Sequence, residues 1–495
     1  MKSLLAALVF SVPLAAQNLK DLEKRVTEFT LSNGLHFIVL QRTDAPVVSL
    51  VTQVNVGSAN DPAGKTGLAH MLEHMAFKGT DSLGTTNWTE ETKLLSEAES
   101  VYDKLESERA KGPRASAESI KKLEAALKTA IDKANGYVVK EAYSKIIQQN
   151  GGVGLNAGTS LDNTTYFYSL PSNRVELWFL LTSQVLKRPV MREFYKERDV
   201  VREERRMSFE SSPQGKLQEA LLQTSYIAHP QRSLIGWASD IESLRAKDSE
   251  AFFKMHYVPS NMVMVLAGDV DPKEVKRMAD QYFSALPSGV MPPAIITREP
   301  KQEGERRVAI ESAAQPMIFM GFKRPDGIHH DAAALTVLAS ALSSGRTGIL
   351  YKELVEEKKL SLVAVASQNF LTNKFPGLFA FIALPAAGKT VEDNEKAILD
   401  IIERTKNKPI DDAVLKRVKT QIRAGLIRGL ESNMGMAMQL ASNYTLTGDW
   451  RRMYARIEEI EKVTAADVQS AAKAYLNEVG RTVVYSKTAA KGGSK

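Results

Sequence analysis

Residues 66–80, TGLAHMLEHMAFKGT, set two histidines and a glutamate inside an otherwise apolar run. Leu68, Met71, Leu72, Met75 and Phe77 recur at helical spacing, with Gly67 before them and Gly79 after. Side chains three and four apart share a helix face, so His70, Glu73 and His74 point at one spot. Burying three such groups without a shared partner is costly. A fold for this chain must cover the apolar sides of the helix and give its polar face something to hold. Two neutral imidazoles at i and i+4 are a usable pair of zinc ligands. A carboxylate beside them can take a proton from water that the metal activates. The order His-x-x-Glu-His inverts the commoner zinc-protease helix. The competing reading is a pair of satisfied core histidines. The chain has 7 histidines, and such a five-residue match arises by chance in about one chain in a hundred.

At 495 residues the chain is long enough for two or more domains. Its 65 basic and 58 acidic residues leave a formal charge of +7, spread along the chain as solvated surface. No basic cluster interleaved with aromatic residues points to nucleic acid. The opening MKSLLAALVFSVPLAAQ reads as a secretory signal over 1–16: Lys2 is the positive start, residues 4–12 are apolar, and small residues lead to a cut after Ala16. That run is short for a bilayer span, although an uncleaved anchor is the alternative, and there is no later run of spanning length. The chain contains 0 cysteines, hence no disulfide framework and no lipid-attachment cysteine. A periplasmic or otherwise exported protein, without a transmembrane segment after signal removal, is expected.

Strands are expected at 26–31 and 35–41 around an Asn33-Gly34 turn, and at 47–56. Residues 90–134 repeat apolar positions at helical spacing on both sides of Lys111-Gly112-Pro113, which predicts a helical hairpin insertion. It either packs on its own domain or serves a partner. Residues 151–170 read as a Gly-rich loop and then a strand; 174–186 and 194–209 read as helices, 261–268 as a buried strand, and 272–286 as a helix. Residues 287–307, rich in proline and mixed charge, are the best linker. The second half repeats the same kinds of element, with strands in 307–322 and 362–384 and long helices from Val391, Asp411 and Met434. A faint echo pairs 241–266 with 460–485. The expected architecture is α+β: two homologous α/β sandwich domains, each a mainly antiparallel sheet covered by helices on one side. The domains span 17–286 and 308–487, with a disordered tail at 488–495. The second half has no His-x-x-Glu-His, and its adjacent His329-His330, which on a helix would point apart, reads as surface.

A catalytic zinc needs a third protein ligand. The expected helix YKERDVVREERRMSF offers Glu197, Glu203 and Glu204. Glu197 and Glu204 lie nearly two turns apart on one face, so one could bind metal while the other orients the site. Here the chain resembles the insulinase/pitrilysin family of zinc peptidases, in particular its short two-domain members related to the mitochondrial processing peptidase. The resemblance rests on 67–80, 151–168, 197–204 and 226–272, the last with HPQRSLIGWASDIESL and NMVMVLAGDV. It implies a zinc endopeptidase folded as half of a clamshell, with one zinc per chain. By it, His70, His74 and Glu204 bind the metal, Glu73 is the general base, and Glu197 supports the site. Asn156 and Ala157 match the edge-strand segment that pairs with peptide substrate.

Two departures stand out. The interval from His74 to Glu204 is long, and 90–134 accounts for the excess. Fully equipped members also carry an Arg and a Tyr in the second half that reach the substrate. Here the matching segment is LVEEKKLSL, with Val355 in place of Arg and Leu362 in place of Tyr, while Arg346 and Tyr351 lie nearby off the pattern. The resemblance thus implies a related partner chain that supplies the Arg–Tyr pair. The rival reading is a non-catalytic structural or binding subunit.

Overall fold

The computed structural model describes residues 22–230 and 233–488. The expected signal at 1–16 lies outside them, as does the tail apart from residue 488, which ends a strand. Among the described residues no helix is long and apolar enough to cross a membrane.

The Asn-Gly signal closes a hairpin between β1 (Val26–Thr30) and β2 (His36–Gln41), with Gly34 at φ +96° where a side chain would be strained. β3 (Val47–Val54), β4 (Val153–Thr159), β5 (Thr164–Pro171) and β6 (Met262–Gly268) complete a six-stranded sheet ordered β1-β2-β6-β3-β5-β4. The Gly-rich stretch expected as a loop is therefore the edge strand β4. Its glycines lack β propensity, but pairing along β5 supplies the hydrogen bonds, with an irregularity between Val153 and Asn156.

β7 (Arg306–Ser312), β8 (Ile318–Arg324), β9 (Ser361–Phe370), β10 (Gly377–Pro385) and β11 (Arg481–Thr488) form a second sheet ordered β7-β11-β8-β10-β9. β6 runs parallel to β2 and antiparallel to β3, and β11 likewise runs parallel to β7 and antiparallel to β8. Without β1, one sheet repeats the other strand for strand. The helices Ala238–Ser243 and Ala246–His256 that lead into β6 recur as Arg452–Lys462 and Ala465–Tyr475 leading into β11. This is the spatial form of the faint echo. The helix after β3 carries the histidine motif; its counterpart after β8, Ala332–Ser343, reads AAALTVLASALS and offers no ligand.

The sequence suggested helices on one side of each sheet, but both faces are covered. Phe37, Val39, Leu50, Met264 and Leu266 face the helices of their own half. Ile38, Leu40, Val51, Val263 and Val265 face the other way, onto Met436, Ala437, Leu440 and Ala441 of helix Asn433–Thr447 from the second half. Reciprocally, Leu217, Leu221 and Leu222 of helix Pro213–Ser225 pack on Phe319, Leu378 and Val484 of the second sheet. Full burial of each such side chain is worth roughly 1.5–3 kcal/mol, so an uncovered sheet face would be costly. Every residue of β6 is buried, as a strand covered on both faces requires. A division by sequence position is thus not a division in space, because each half lends a helix to the other. The segment between them is also held: Glu299 accepts the backbone N–H groups of Ile227, Ala228 and His229 at 2.9–3.1 Å.

Candidate metal centre

Helix Leu68–Met75 is fixed at both ends. Gly67 starts it at φ +98°, where an added Cβ would lie 2.6 Å from the Ile235 carbonyl oxygen. The carboxylate of Asp61 accepts the N–H of Gly67 at 2.7 Å and of Ala69 at 2.9 Å, which satisfies amides a helix start leaves unpaired. Burial pushes the Asp61 pKa up to about 7, against the pull of those two donors. Thr66 clasps Asp240 through its amide at 3.1 Å and its hydroxyl at 2.7 Å. After the helix, Gly79 turns at φ +94° with no room for a Cβ, which would meet the Leu83 carbonyl oxygen at 2.2 Å. Arg192, 1% exposed, holds this turn by donating to the carbonyls of Lys78, Thr80 and Leu83, and it pairs with the buried Glu91 at 2.7 Å.

Leu68, Met71, Leu72 and Met75 enter the first core, which leaves His70, Glu73 and His74 on the other face. Helix Phe194–Arg205 lies across them, and a π-helical turn, 206–210, replaces the α-helix expected as far as 209. Of the three candidate carboxylates, Glu203 points away, half exposed and paired with Arg206 at 2.7 Å. Glu204 Oε2 lies 3.4 Å from His74 Nε2 and 3.7 Å from His70 Nε2. One ligand atom from each of these three residues falls within 4.8 Å of the others. Ligands about 2.0–2.1 Å from a shared tetrahedral zinc are about 3.4 Å apart, so this donor set fits that ion and leaves a fourth position open. Burial lowers the His70 pKa to about 4. The bond to His74 holds the Glu204 carboxylate below its ordinary range.

Glu197 Oε2 is 3.4 Å from His74 Nδ1, while its other oxygen accepts Lys78, which also reaches Glu193 at 3.2 Å. Burial opposes charge on both members of the His74–Glu197 pair. The partners win: the pKa of His74 rises to about 9, through Glu197 and Glu204, and that of Glu197 falls, through His74 and Lys78. Glu73 is half-buried, and burial raises its pKa against hydrogen bonds from Thr159 at the end of β4. The base candidate and the sheet edge are therefore in contact. Asn156 and Ala157 lie on that edge, opposite Phe167 and Tyr166. The Ala157 N–H is occupied by Asn156 Oδ1 at 2.8 Å, so a peptide strand there must displace a side chain.

Thr159 and Arg192 escaped the sequence reading, because nothing local links them to the motif; Asp61 escaped it too, although it lies only six residues before Gly67. Lys78 did carry a signal: it sits one turn after His74, on the side that meets the helix bearing Glu197.

Sequence models of one family match both halves: Insulinase (Peptidase family M16) over 37–105 and 133–236, and Peptidase M16 inactive domain over 243–422. The chain belongs to the insulinase family. The half matched by the inactive-domain model is the one without the metal motif. Zinc protease PqqE of Helicobacter pylori is 27% identical over 92% of this chain and 92% of its own. A solved protease from Helicobacter pylori, also 27% identical, superposes with a TM-score of 0.77 over 93% of this chain and 99% of its own. The periplasmic protease PqqL of Escherichia coli shares the fold at 15% identity and a TM-score of 0.69, over 94% of this chain but 48% of its own.

The insulinase match passes over 106–132 only, whereas the sequence suggested an insertion over 90–134. Helices Trp88–Arg109 and Ala117–Asn135 form the expected hairpin, but its base belongs to the domain. Glu91 and Leu105 are buried, Glu99 bonds the Tyr195 hydroxyl, and Asp103 pairs with Arg245 at 3.0 Å. Joining 105 to 133 by a short linker is expected to leave fold and metal content intact. Glu91→Ala strands a buried guanidinium and is expected to cost about 3–5 kcal/mol. Urea midpoints test both. A stable Glu91→Ala protein, or an unfolded 106–132 deletion, would reverse the assignment.

Proposed function

We propose that this insulinase-family chain is a zinc-dependent endopeptidase subunit, acting on peptides or unfolded polypeptides after export. The observation that carries the reading is the convergence of His70, His74 and Glu204 beside Glu73 at a free sheet edge. One zinc per chain, bound by those three side chains, would supply Lewis acidity: it acidifies the attacking water and polarises the scissile carbonyl. Glu73 takes the water proton at its carboxylate and delivers it to the leaving amine. Thr159 holds that carboxylate in place, and Glu197 fixes the His74 ring through Nδ1. Substrate adds to β4 as a further strand along Asn156 and Ala157, which gives affinity through backbone bonds. An apolar cavity on the core side of the metal helix is lined by Leu72, Met75, Phe77, Tyr166 and Trp178 among others. Export is supported by the leader-like N-terminus and by the periplasmic protease that shares the fold.

Metal content tests the site. His70→Ala, His74→Ala and Glu204→Gln are each expected to lose the zinc that the purified protein holds, whereas Glu203→Gln keeps it. Loss from Glu203→Gln with retention by Glu204→Gln would overturn the ligand assignment. A metal-free wild type that is unaffected by chelators in all assays would favour the non-catalytic subunit.

A further inference from the structure

The His329-His330 pair is not helical. It lies in the turn after β8, just before helix Ala332–Ser343, with Asp331 as the residue that starts the helix. The two rings do not point apart: their centroids are 4.0 Å from each other. Asp331 Oδ2 lies 3.7 Å from His329 Nδ1 and 3.5 Å from His330 Nε2. One donor atom from each of the three residues falls within 4.8 Å of the others. These separations are close to those within the His70, His74 and Glu204 group.

We propose that His329, His330 and Asp331 form a second site for a divalent transition ion, zinc among them, at the exposed start of helix Ala332–Ser343. Imidazole with carboxylate suits such ions, and the set lacks the six or more oxygens that calcium requires. The carboxylate is aimed in advance, because the Tyr475 hydroxyl donates to Asp331 Oδ2 at 2.6 Å. The helix start is pinned as well: Arg456 donates to the Ala332 carbonyl at 2.9 Å and to the Thr336 hydroxyl at 2.6 Å. His329 Nδ1 presently accepts the Asp331 N–H at 3.2 Å, so ligation through Nδ1 exchanges a long hydrogen bond for a metal bond. His330 is 81% exposed, which leaves the ion open to water on that side and makes this site the weaker of the two. A bound ion ties the start of helix Ala332–Ser343 through Asp331 to Tyr475 of helix Ala465–Tyr475.

Zinc titration by calorimetry into the His70→Ala/His74→Ala protein is expected to show one equivalent bound. That equivalent disappears when His329→Ala/His330→Ala is added, and it weakens by about 10-fold with Tyr475→Phe, the loss typical of removing a partner that orients a ligand. If the motif variant does not fold, the otherwise unaltered chain serves. At saturating free zinc its content should fall from two equivalents to one on His329→Ala/His330→Ala. A fall from one to none would uphold this site and sink the catalytic one. Zinc binding that is identical with and without His329 and His330 would overturn the proposal.

Discussion

Glu73→Gln is expected to keep its zinc and to lose peptide hydrolysis by about 10²- to 10⁴-fold, the usual worth of a positioned general base. The substitution is nearly isosteric and removes no ligand, since His70, His74 and Glu204 form the donor group without it. A glutamine has nearly the same shape, so the packing survives while the basicity does not. Zinc content and single-turnover cleavage of a quenched peptide, wild type and variant under the same conditions, separate the two functions. Loss of zinc together with activity would make Glu73 part of the binding shell. Unchanged turnover would remove it from the mechanism.

The second large effect concerns the partner. Alone, the chain is expected to bind zinc and cleave poorly; with a related chain that supplies an Arg–Tyr pair, cleavage should rise by about 10²- to 10³-fold, the scale of a restored oxyanion donor. Two observations motivate this. Val355, where the resembled pattern has Arg, packs part-buried on the second core, and Leu362, where it has Tyr, is 54% exposed on the edge strand β9. The chain also spans 48% of PqqL, a longer chain of the same fold. As half of the clamshell that the resemblance implies, the chain alone would leave a bound peptide open to water, which weakens electrostatic contributions at the reacting carbonyl. A homodimer would close that face without restoring either side chain. Cleavage across a titration of candidate partner is the measurement, with Val355→Arg/Leu362→Tyr in parallel. Leu362→Tyr fits an exposed site, whereas Val355→Arg must leave the core edge, so the rescue should be partial. Full activity of the isolated wild type would end the idea and turn attention to Arg346 and Tyr351.

The sequence alone determined the helix that carries His70, Glu73 and His74 and the face they share. Helical periodicity is local: once Leu68, Met71, Leu72 and Met75 are buried, His70, Glu73 and His74 must share the other face. Alternation and turn residues likewise placed the β1–β2 hairpin and most strands of both halves, and the apolar run of β6 read as a buried strand, although the sequence did not show its cover on both faces. Other features depend on long-range packing that no local pattern encodes. The resemblance and the two-turn spacing from Glu197 pointed to Glu204, and the crossing of helix Phe194–Arg205 over the histidine helix sets Glu204 beside His74 and turns Glu203 toward Arg206. β4 is a strand only because β5 pairs with it, and its glycines argued for a loop. The exchange of helices Pro213–Ser225 and Asn433–Thr447 between the sheets, and the clasp of Arg192 on Glu91 beneath the metal turn, were decided by the tertiary structure. Each joins residues about a hundred or more positions apart, and the burial that rewards such contacts exists only once the chain has closed on itself.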